Sequence, residues 1–147
     1  MIFYFTGTGN SLYVAKELDE KIISIPQIIK EKRLEFSADR IGIVCPVYGH
    51  EMAGMVKEFI RRASFETDYL FAVLTYGAHH GGAAEIAGLF FRDAGKKADY
   101  ITTIEMVDKF LPAFDMEEQM AMDKQVEKHL KEIKARLQAK SQGIQKT

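Results

Sequence analysis

The chain has 147 residues, of which 47% are hydrophobic and 28% charged, the balance of a folded globular protein with one core. Twenty Lys and Arg residues against twenty-one Asp and Glu residues give a formal charge of −1, so no strong positive field favours nucleic acid as a partner. The single cysteine, Cys45, excludes an internal disulfide, a four-cysteine zinc site and a self-contained iron–sulfur cluster.

Five short apolar runs, rich in β-branched and aromatic residues, are predicted to be strands. In chain order they are residues 2–5, 22–25, 41–45, 69–75 and 100–107. Pro26 ends the second run because proline cannot donate to a sheet ladder. Residues 27–38 are expected to form a short helix and a loop, and residues 46–50 interrupt the third strand.

Helical periodicity separates these strands. The helices are predicted over residues 11–18, 52–63, 83–94 and a last stretch after residue 115. The second of them carries an apolar stripe made of Met52, Met55, Val56, Phe59, Ile60 and Ala63. Gly95 stands where a helix end favours glycine. The last helix has a stripe of Val126, Leu130, Ile133 and Leu137, and residues from about 140 to 147 are expected to be a frayed tail.

This alternation predicts the α/β class, with a three-layer, doubly wound, five-stranded parallel sheet in a single domain over residues 1–147. In such sheets, ligands bind at the carboxyl ends of the strands, beside the point where the strand order reverses. Three loops that leave strand carboxyl ends, residues 6–11, 46–50 and 75–82, combine glycine with hydroxyl or aromatic side chains. We therefore expect the binding site there.

The first of these loops has the composition of a phosphate-binding nest. Its residues are Thr6, Gly7, Thr8, Gly9, Asn10 and Ser11. The glycines allow backbone N–H groups to converge, and the following helix adds the positive end of its dipole. No lysine follows the last glycine, as a P-loop requires, and Leu12 stands where a dinucleotide fingerprint needs a third glycine. A terminal monophosphate is favoured, and the alternative is a helix-capping turn that binds nothing.

The other two loops have the composition expected around a flat heterocycle. Tyr48 and Tyr76 lie near strand ends and could stack on a ring, although each could equally pack on a neighbouring helix. Four glycines would allow the backbone to approach the ring edge: Gly49, Gly77, Gly81 and Gly82.

The loop of residues 6–11 resembles the FMN phosphate loop of flavodoxins. Residues 2–12, together with Pro46-Val47-Tyr48-Gly49, are similar to the flavodoxin-like part of bacterial flavodoxin–ferredoxin fusion proteins, and the similarity extends over essentially the whole chain. The resemblance implies the strand order 2-1-3-4-5 and FMN as the cofactor. It implies phosphate binding by residues 6–11 and a ring between two loops, formed by Pro46, Val47, Tyr48 and Gly49 and by Thr75, Tyr76 and Gly77, with His80, Gly81 and Gly82 completing the site.

By this resemblance the chain would be an electron carrier that shuttles low-potential electrons between redox partners such as a ferredoxin or a reductase. No Lys or Arg occurs in the three loops, so an anionic reduced flavin is disfavoured there. His79 or His80, if protonated, could oppose this effect, or both could be solvent-exposed.

Two other functions stay open: an FMN-dependent NAD(P)H reductase acting on a quinone or similar acceptor, and a module without flavin that binds a partner. No catalytic residue and no metal ligand is predicted. We expect a cytoplasmic monomer or weak homodimer with no nucleic-acid or membrane partner, since the apolar runs are far too short to span a bilayer. Cys45 is interpreted as a small buried hydrophobe, with a redox-sensing thiol as the alternative.

Overall fold

A computed structural model describes residues 1–6, 9–48, 50–77, 82–106 and 116–145, with the side chains of the last range described from residue 124. Its strands are β1 Ile2–Tyr4, β2 Ile22–Ser24, β3 Glu35–Ser37, β4 Arg40–Tyr48, β5 Glu51–Met52, β6 Ser64–Glu66, β7 Tyr69–Tyr76, β8 Tyr100–Glu105 and β9 Gly143–Ile144. Its helices are α1 Asn10–Leu18, α2 Ile25–Ile28, α3 Gly54–Arg62, α4 Ala83–Asp93 and α5 Met116–Gln138.

The main sheet is parallel and has the order β2-β1-β4-β7-β8-β9. The five predicted strands correspond to β1, β2, β4, β7 and β8, so the predicted order 2-1-3-4-5 is confirmed. After β2 the chain passes over β1 and adds β4 on its other side. The strand order therefore reverses between β1 and β4.

Two hydrophobic cores lie on opposite faces of the sheet, as a doubly wound fold requires. One contains Val14 and Ala15 of α1 and Leu130, Ile133 and Leu137 of α5. The other contains Val56, Phe59 and Ile60 of α3 and Ala84, Ala87 and Phe91 of α4. Successive residues of β7 alternate between these cores: Phe71 and Val73 face α1 and α5, whereas Ala72 and Leu74 face α3 and α4.

The third predicted strand is longer than the sequence indicated, because Pro46 does not end it. The Gly42 N–H donates to the Met1 carbonyl at 3.0 Å. The Val44 carbonyl accepts from the Phe5 N–H at 3.0 Å, so both β4 residues face β1. Pro46, two residues further, faces the same side but lies beyond the last residue of β1. Its missing N–H therefore costs no ladder hydrogen bond, and β4 continues to Tyr48.

The prediction for the following helix was wrong at its start. Met52 belongs to β5, which pairs antiparallel with β4, and α3 begins at Gly54. Met52 is buried from its strand position, whereas Met55 in the first turn of α3 is 39% exposed. The helical periodicity indicated a start two residues too early because a strand residue happened to match the apolar spacing.

The other differences are short elements with little periodicity. Ile25 begins α2 rather than ending the second strand, with Pro26 in its first turn. The sequence did not indicate strands at β3, β6 or β9; β3 and β6 form a separate parallel pair, and β9 adds an edge strand where a frayed tail was expected. Gly95 ends α4 as predicted, with φ +78° and a 2.9 Å hydrogen bond from the Lys96 N–H to the Phe91 carbonyl.

Candidate functional site at the carboxyl edge of the sheet

The carboxyl ends of β1, β4 and β7 lie at the same edge of the sheet, where the strand order reverses. After β1 the chain enters α1 on one face, and after β4 and its hairpin with β5 it enters α3 on the other. Helices that leave in opposite directions open a crevice between the two strands. The three loops predicted from the sequence to form the site all start at this edge.

The amino terminus of α1 presents backbone donors to this crevice. Gly9 precedes the helix with φ +93°, and the first helical hydrogen bond runs from the Tyr13 N–H to the Gly9 carbonyl at 3.0 Å. The N–H groups of residues 10–12 precede that bond, so the helix itself offers them no acceptor. Among the described residues, a Cβ placed on Gly9 would meet no atom within 4 Å, so there is open space on that side of the glycine.

Thr6 shapes the loop from its other end. Its Oγ1 accepts a 2.8 Å hydrogen bond from the Gly9 N–H, which ties the end of β1 to the start of α1. A hydroxyl that accepts one hydrogen bond can still donate its proton to another oxygen. Thr6 can therefore hold the loop and contribute a donor at the same time.

Ser11 is directed into the protein. Its Oγ lies 3.0 Å from the Oγ1 of Thr75, and the two side chains are 1% and 3% exposed. Ser11 and Thr75 were predicted in different loops, one for the phosphate and one for the ring. The structure joins them by a buried hydrogen bond, so the first turn of α1 is connected to the end of β7.

The second loop is a hairpin between β4 and β5. Val47 pairs with Met52, and Tyr48 pairs with Glu51. The Tyr48 side chain is 55% exposed at the tip of β4, while Pro46 and Val47 are half-buried below it. His50 closes the turn with φ +71°, a conformation that costs a non-glycine residue about 1–2 kcal/mol. The hairpin extends Tyr48 beyond the body of the sheet.

The third loop begins at the end of β7. Tyr76 is half-buried, and burial, with a smaller contribution from the Glu105 carboxylate, raises the pKa of its hydroxyl above the usual range. Gly77 is exposed, and no atom of the described residues lies within 4 Å of a Cβ placed there. Gly82 precedes α4 with φ +76° and accepts the first helical hydrogen bond from the Ile86 N–H at 3.0 Å. Helix α4 thus begins in the same way as α1.

Five predicted site residues, Gly7, Thr8, Gly49, His80 and Gly81, lie outside the described residues, as does His79. Sequence reasoning missed Glu105, the last residue of β8, which is the register partner of Tyr76. A charged residue that ends an apolar strand at this edge was the available signal. Within the described ranges, no cluster of three or more His, Cys, Asp or Glu side chains could hold a metal ion. In the same part of the chain, no helix has the length and apolar character needed to span a membrane.

No protein-family model matches the sequence, and no curated protein sequence matches it. Solved structures do match the fold. Trp repressor binding protein from Bacillus subtilis aligns with a TM-score of 0.53 at 11% identity, covering 88% of this chain and 95% of that one. Two-electron reduced Megasphaera elsdenii flavodoxin aligns with a TM-score of 0.52 at 18% identity, covering 76% and 89% of the two chains.

Rubredoxin oxygen:oxidoreductase from Desulfovibrio gigas matches with a TM-score of 0.49 at 15% identity over 88% of this chain, and the chain spans only 35% of its length. At these identities the matches with scores above 0.5 show the fold alone. The chain has a flavodoxin-like α/β fold, as the sequence predicted.

Proposed function

We propose that this chain, on its flavodoxin-like fold, binds FMN at the carboxyl edge of the sheet and carries electrons between redox partner proteins. The observation that carries the proposal is the amino terminus of α1, which lies where the strand order reverses and presents N–H groups that have no acceptor within the helix. A phosphate is the ligand for which such a terminus is best suited. The flat ring of FMN would then extend toward the loops after β4 and β7.

The described residues fit the phosphate group of FMN. Backbone N–H groups of residues 10–12 and the hydroxyl of Thr6 can donate to its oxygens, and the open space at Gly9 allows a close approach. Hydrogen bonds to charged groups contribute about 1.5–3 kcal/mol each, so a few of them suffice without a Lys or Arg. Gly7 and Thr8 are proposed to complete this subsite.

The ring subsite is proposed to lie between Tyr48 and Tyr76. Both tyrosines stand at strand ends on the same edge, and no described residue fills the space beside Gly77. Aromatic stacking contributes about 0.5–1.5 kcal/mol beyond the burial of area. Pro46, Val47 and Gly49 would form one wall, and His80, Gly81 and Gly82 the far side of the third loop.

FMN, when bound, would supply the capacity to accept and release electrons, and the protein would set how readily it does so. The three loops contain no Lys or Arg, and the carboxylate of Glu105 lies beside Tyr76. An added negative charge is disfavoured in such surroundings. We therefore propose a low-potential carrier, which delivers electrons to a partner such as a ferredoxin or receives them from a reductase.

The first experiment is a titration of the purified protein with FMN, followed by flavin fluorescence, with riboflavin as the matched ligand that lacks the phosphate. The expected result is saturable binding of FMN at micromolar concentrations and binding of riboflavin that is at least about tenfold weaker. Equal affinity for both ligands would contradict the phosphate subsite at α1. No binding of either would overturn the proposed function and favour a module that binds only a protein partner.

A second candidate function is an FMN-dependent NAD(P)H reductase that passes electrons to a quinone or similar acceptor. The observation in its favour is the 55% exposure of Tyr48, which leaves room for a second ring near this subsite. Steady-state oxidation of NADH and NADPH by the FMN-loaded protein, with a quinone present, separates the two functions. Turnover at several per second favours the reductase, whereas a rate no higher than that of free FMN favours the carrier.

A further inference from the structure

Ser11 and Thr75 form a buried polar pair between the two halves of the proposed site. The two hydroxyl oxygens are 3.0 Å apart, and either can be the donor. One belongs to the first turn of α1, which follows the phosphate loop, and the other to the end of β7, which precedes the third loop. This pair therefore connects the element proposed to hold the phosphate with the element proposed to hold the ring.

Each residue is the buried residue of its element that lies nearest to the site. In α1, Gly9 is exposed, Asn10 is half-buried and Ser11 is the first residue that is fully buried. In β7, Thr75 is buried and Tyr76 is only half-buried. On the side of the proposed site, the sequence next to each residue is rich in glycine, in residues 6–9 before α1 and in residues 77–82 after β7. Among the described residues, the Ser11–Thr75 hydrogen bond is thus the buried polar contact between α1 and β7 that lies nearest to the proposed ligand.

Stability alone does not explain two hydroxyls at this place. The other buried residues of α1 are Val14 and Ala15, which belong to the same hydrophobic core as Val73 of β7. An alanine and a valine would fill nearly the same volume as Ser11 and Thr75, and replacing both partners of a buried hydrogen bond by apolar groups of the same shape can be nearly neutral. What apolar groups would not provide is direction, because a hydrogen bond constrains both distance and angle.

We propose that Ser11 and Thr75 are positioning residues that make the site selective for a flavin carrying a phosphate. Their hydrogen bond fixes the distance between the N–H groups of α1 and the end of β7, so that one ligand can occupy both subsites at once. The inference rests on the proposed function. The resemblance implied that Ser11 binds the phosphate with the rest of residues 6–11; in this proposal its N–H group does so, while its hydroxyl faces Thr75 inside the protein.

The test compares the Ser11→Ala and Thr75→Val variants, and the double variant, in their binding of three ligands: FMN, riboflavin and inorganic phosphate. FMN occupies both subsites, whereas riboflavin and phosphate each occupy one. We expect each single variant to bind FMN about threefold to tenfold more weakly, as the loss of one oriented hydrogen bond predicts. Affinity for riboflavin and for phosphate should remain within twofold, and the double variant should bind FMN no more weakly than either single variant.

Other patterns would overturn the inference. Weaker binding of FMN and of phosphate by Ser11→Ala, with Thr75→Val unchanged, means that Ser11 contacts the phosphate. Weaker binding of FMN and of riboflavin by Thr75→Val, with Ser11→Ala unchanged, means that Thr75 contacts the ring. Additive losses in the double variant exclude a shared role. A wild-type protein that binds no FMN overturns the proposed function and this inference together. In each pattern above the wild-type protein does bind FMN, so those patterns reject only the positioning role of Ser11 and Thr75.

Two further variants separate positioning from stability. Thr75→Ser keeps the hydroxyl and should restore FMN affinity to within about twofold of the wild-type value. Thr103→Val removes another buried threonine hydroxyl from the same sheet. Thr103 lies on β8, and its Oγ1 donates to the Oε1 of Gln145 at 3.1 Å. Thr103→Val should change the urea midpoint of unfolding without changing FMN affinity. Equal losses of FMN affinity in Thr103→Val and Thr75→Val would show that any loss of stability weakens binding, and would overturn the positioning role.

Discussion

Tyr76 and Glu105 are register partners at the carboxyl ends of β7 and β8, beside the proposed ring subsite. Burial raises the pKa of the Tyr76 hydroxyl, and the carboxylate of Glu105 raises it further because a tyrosinate would place two negative charges side by side. The same repulsion acts on any negative charge that appears nearby. Tyr76 therefore reports on the field that a reduced flavin would experience.

Replacement of Glu105 by glutamine should lower the pKa of Tyr76 toward its usual value and raise the reduction potential of bound FMN. We expect each one-electron potential to increase by roughly 20–60 mV, which is equivalent to a twofold to tenfold change in the relative affinity for the reduced ring. NMR titration of Tyr76 and potentiometry of the FMN-loaded protein measure the two effects. Glu35→Gln, an exposed position on β3, is the control. A lower pKa with an unchanged potential would show that the ring does not lie beside Tyr76.

Gly9→Ala and Gly54→Ala form a matched pair. At both glycines an added Cβ would meet no atom of the described residues within 4 Å, but of the two only Gly9 has a positive φ, of +93°. Gly9→Ala should lower the free energy of unfolding by about 1–2 kcal/mol, the cost of the left-handed conformation, and should weaken FMN binding. Gly54→Ala, at the start of α3, should leave stability unchanged or increase it by up to about 1 kcal/mol. Urea denaturation measures the free energy of unfolding of both variants. Equal losses in the two would contradict a left-handed conformation at Gly9.

Gly42 should be intolerant of a side chain for a different reason. A Cβ at this position in β4 would overlap the ring of Phe71, which is buried on the adjacent strand β7. Gly42→Ala should destabilise the protein by about 1–3 kcal/mol, the usual cost of overpacking. Phe71→Leu in the Gly42→Ala background should recover part of this loss. If the double variant is no more stable than Gly42→Ala, Phe71 is not what excludes the methyl group.

Cys45 should be unreactive in the folded protein. Its side chain is fully buried, and burial raises the pKa of the thiol to about 12. The thiolate is the reactive form, so a thiol reagent at pH 8 should label Cys45 only in step with unfolding in urea. Rapid labelling without denaturant would contradict the burial and would restore the redox-sensing alternative.

Alkaline pH should destabilise the fold through Tyr69. Burial raises the pKa of Tyr69 from 10.0 to about 12, and the nearby Tyr100 and Asp99 add to this effect. The positive charge of Arg40 opposes it. As the pH rises, the Tyr69 hydroxyl loses its proton at a lower pH in the unfolded chain than in the folded protein. Its contribution to the free energy of unfolding is therefore complete below pH 10 and is lost as the pH rises through about 12. Between pH 10 and 12, the free energy of unfolding of Tyr69→Phe should fall less steeply than that of the wild-type protein, by up to about 1.4 kcal/mol per pH unit.

Tyr69→Phe should also lower stability at neutral pH by about 0.5–1.5 kcal/mol, because the carbonyl of Ser141 loses its donor. That hydrogen bond is 2.6 Å long and ties the segment after α5 to the sheet. An unchanged slope between pH 10 and 12 would assign the alkaline transition to other groups.

The sequence by itself determined the class of fold, and its resemblance to flavodoxins implied the order of the five predicted strands, which the structure confirms. It also predicted the edge of the sheet at which the site is proposed. Strands such as β7 are continuous apolar runs, and α1 and α4 have helical periodicity, so local pattern and burial indicate the same element. The loop of residues 6–11 was assigned to phosphate because its glycines and hydroxyls follow a strand and open a helix, and that assignment stays a prediction. These features depend on neighbours within one turn or one strand.

Only the tertiary structure decided where the short elements and the side-chain contacts lie. Pro46 stays within β4 because β1 has already ended beside it, and Met52 belongs to β5 because Val47 pairs with it. Ser11 turns from the loop to Thr75, which is 64 residues away in the sequence. Such contacts depend on which strand is adjacent and which face a helix covers. Periodicity within one segment carries no information about the partner that another segment brings to it.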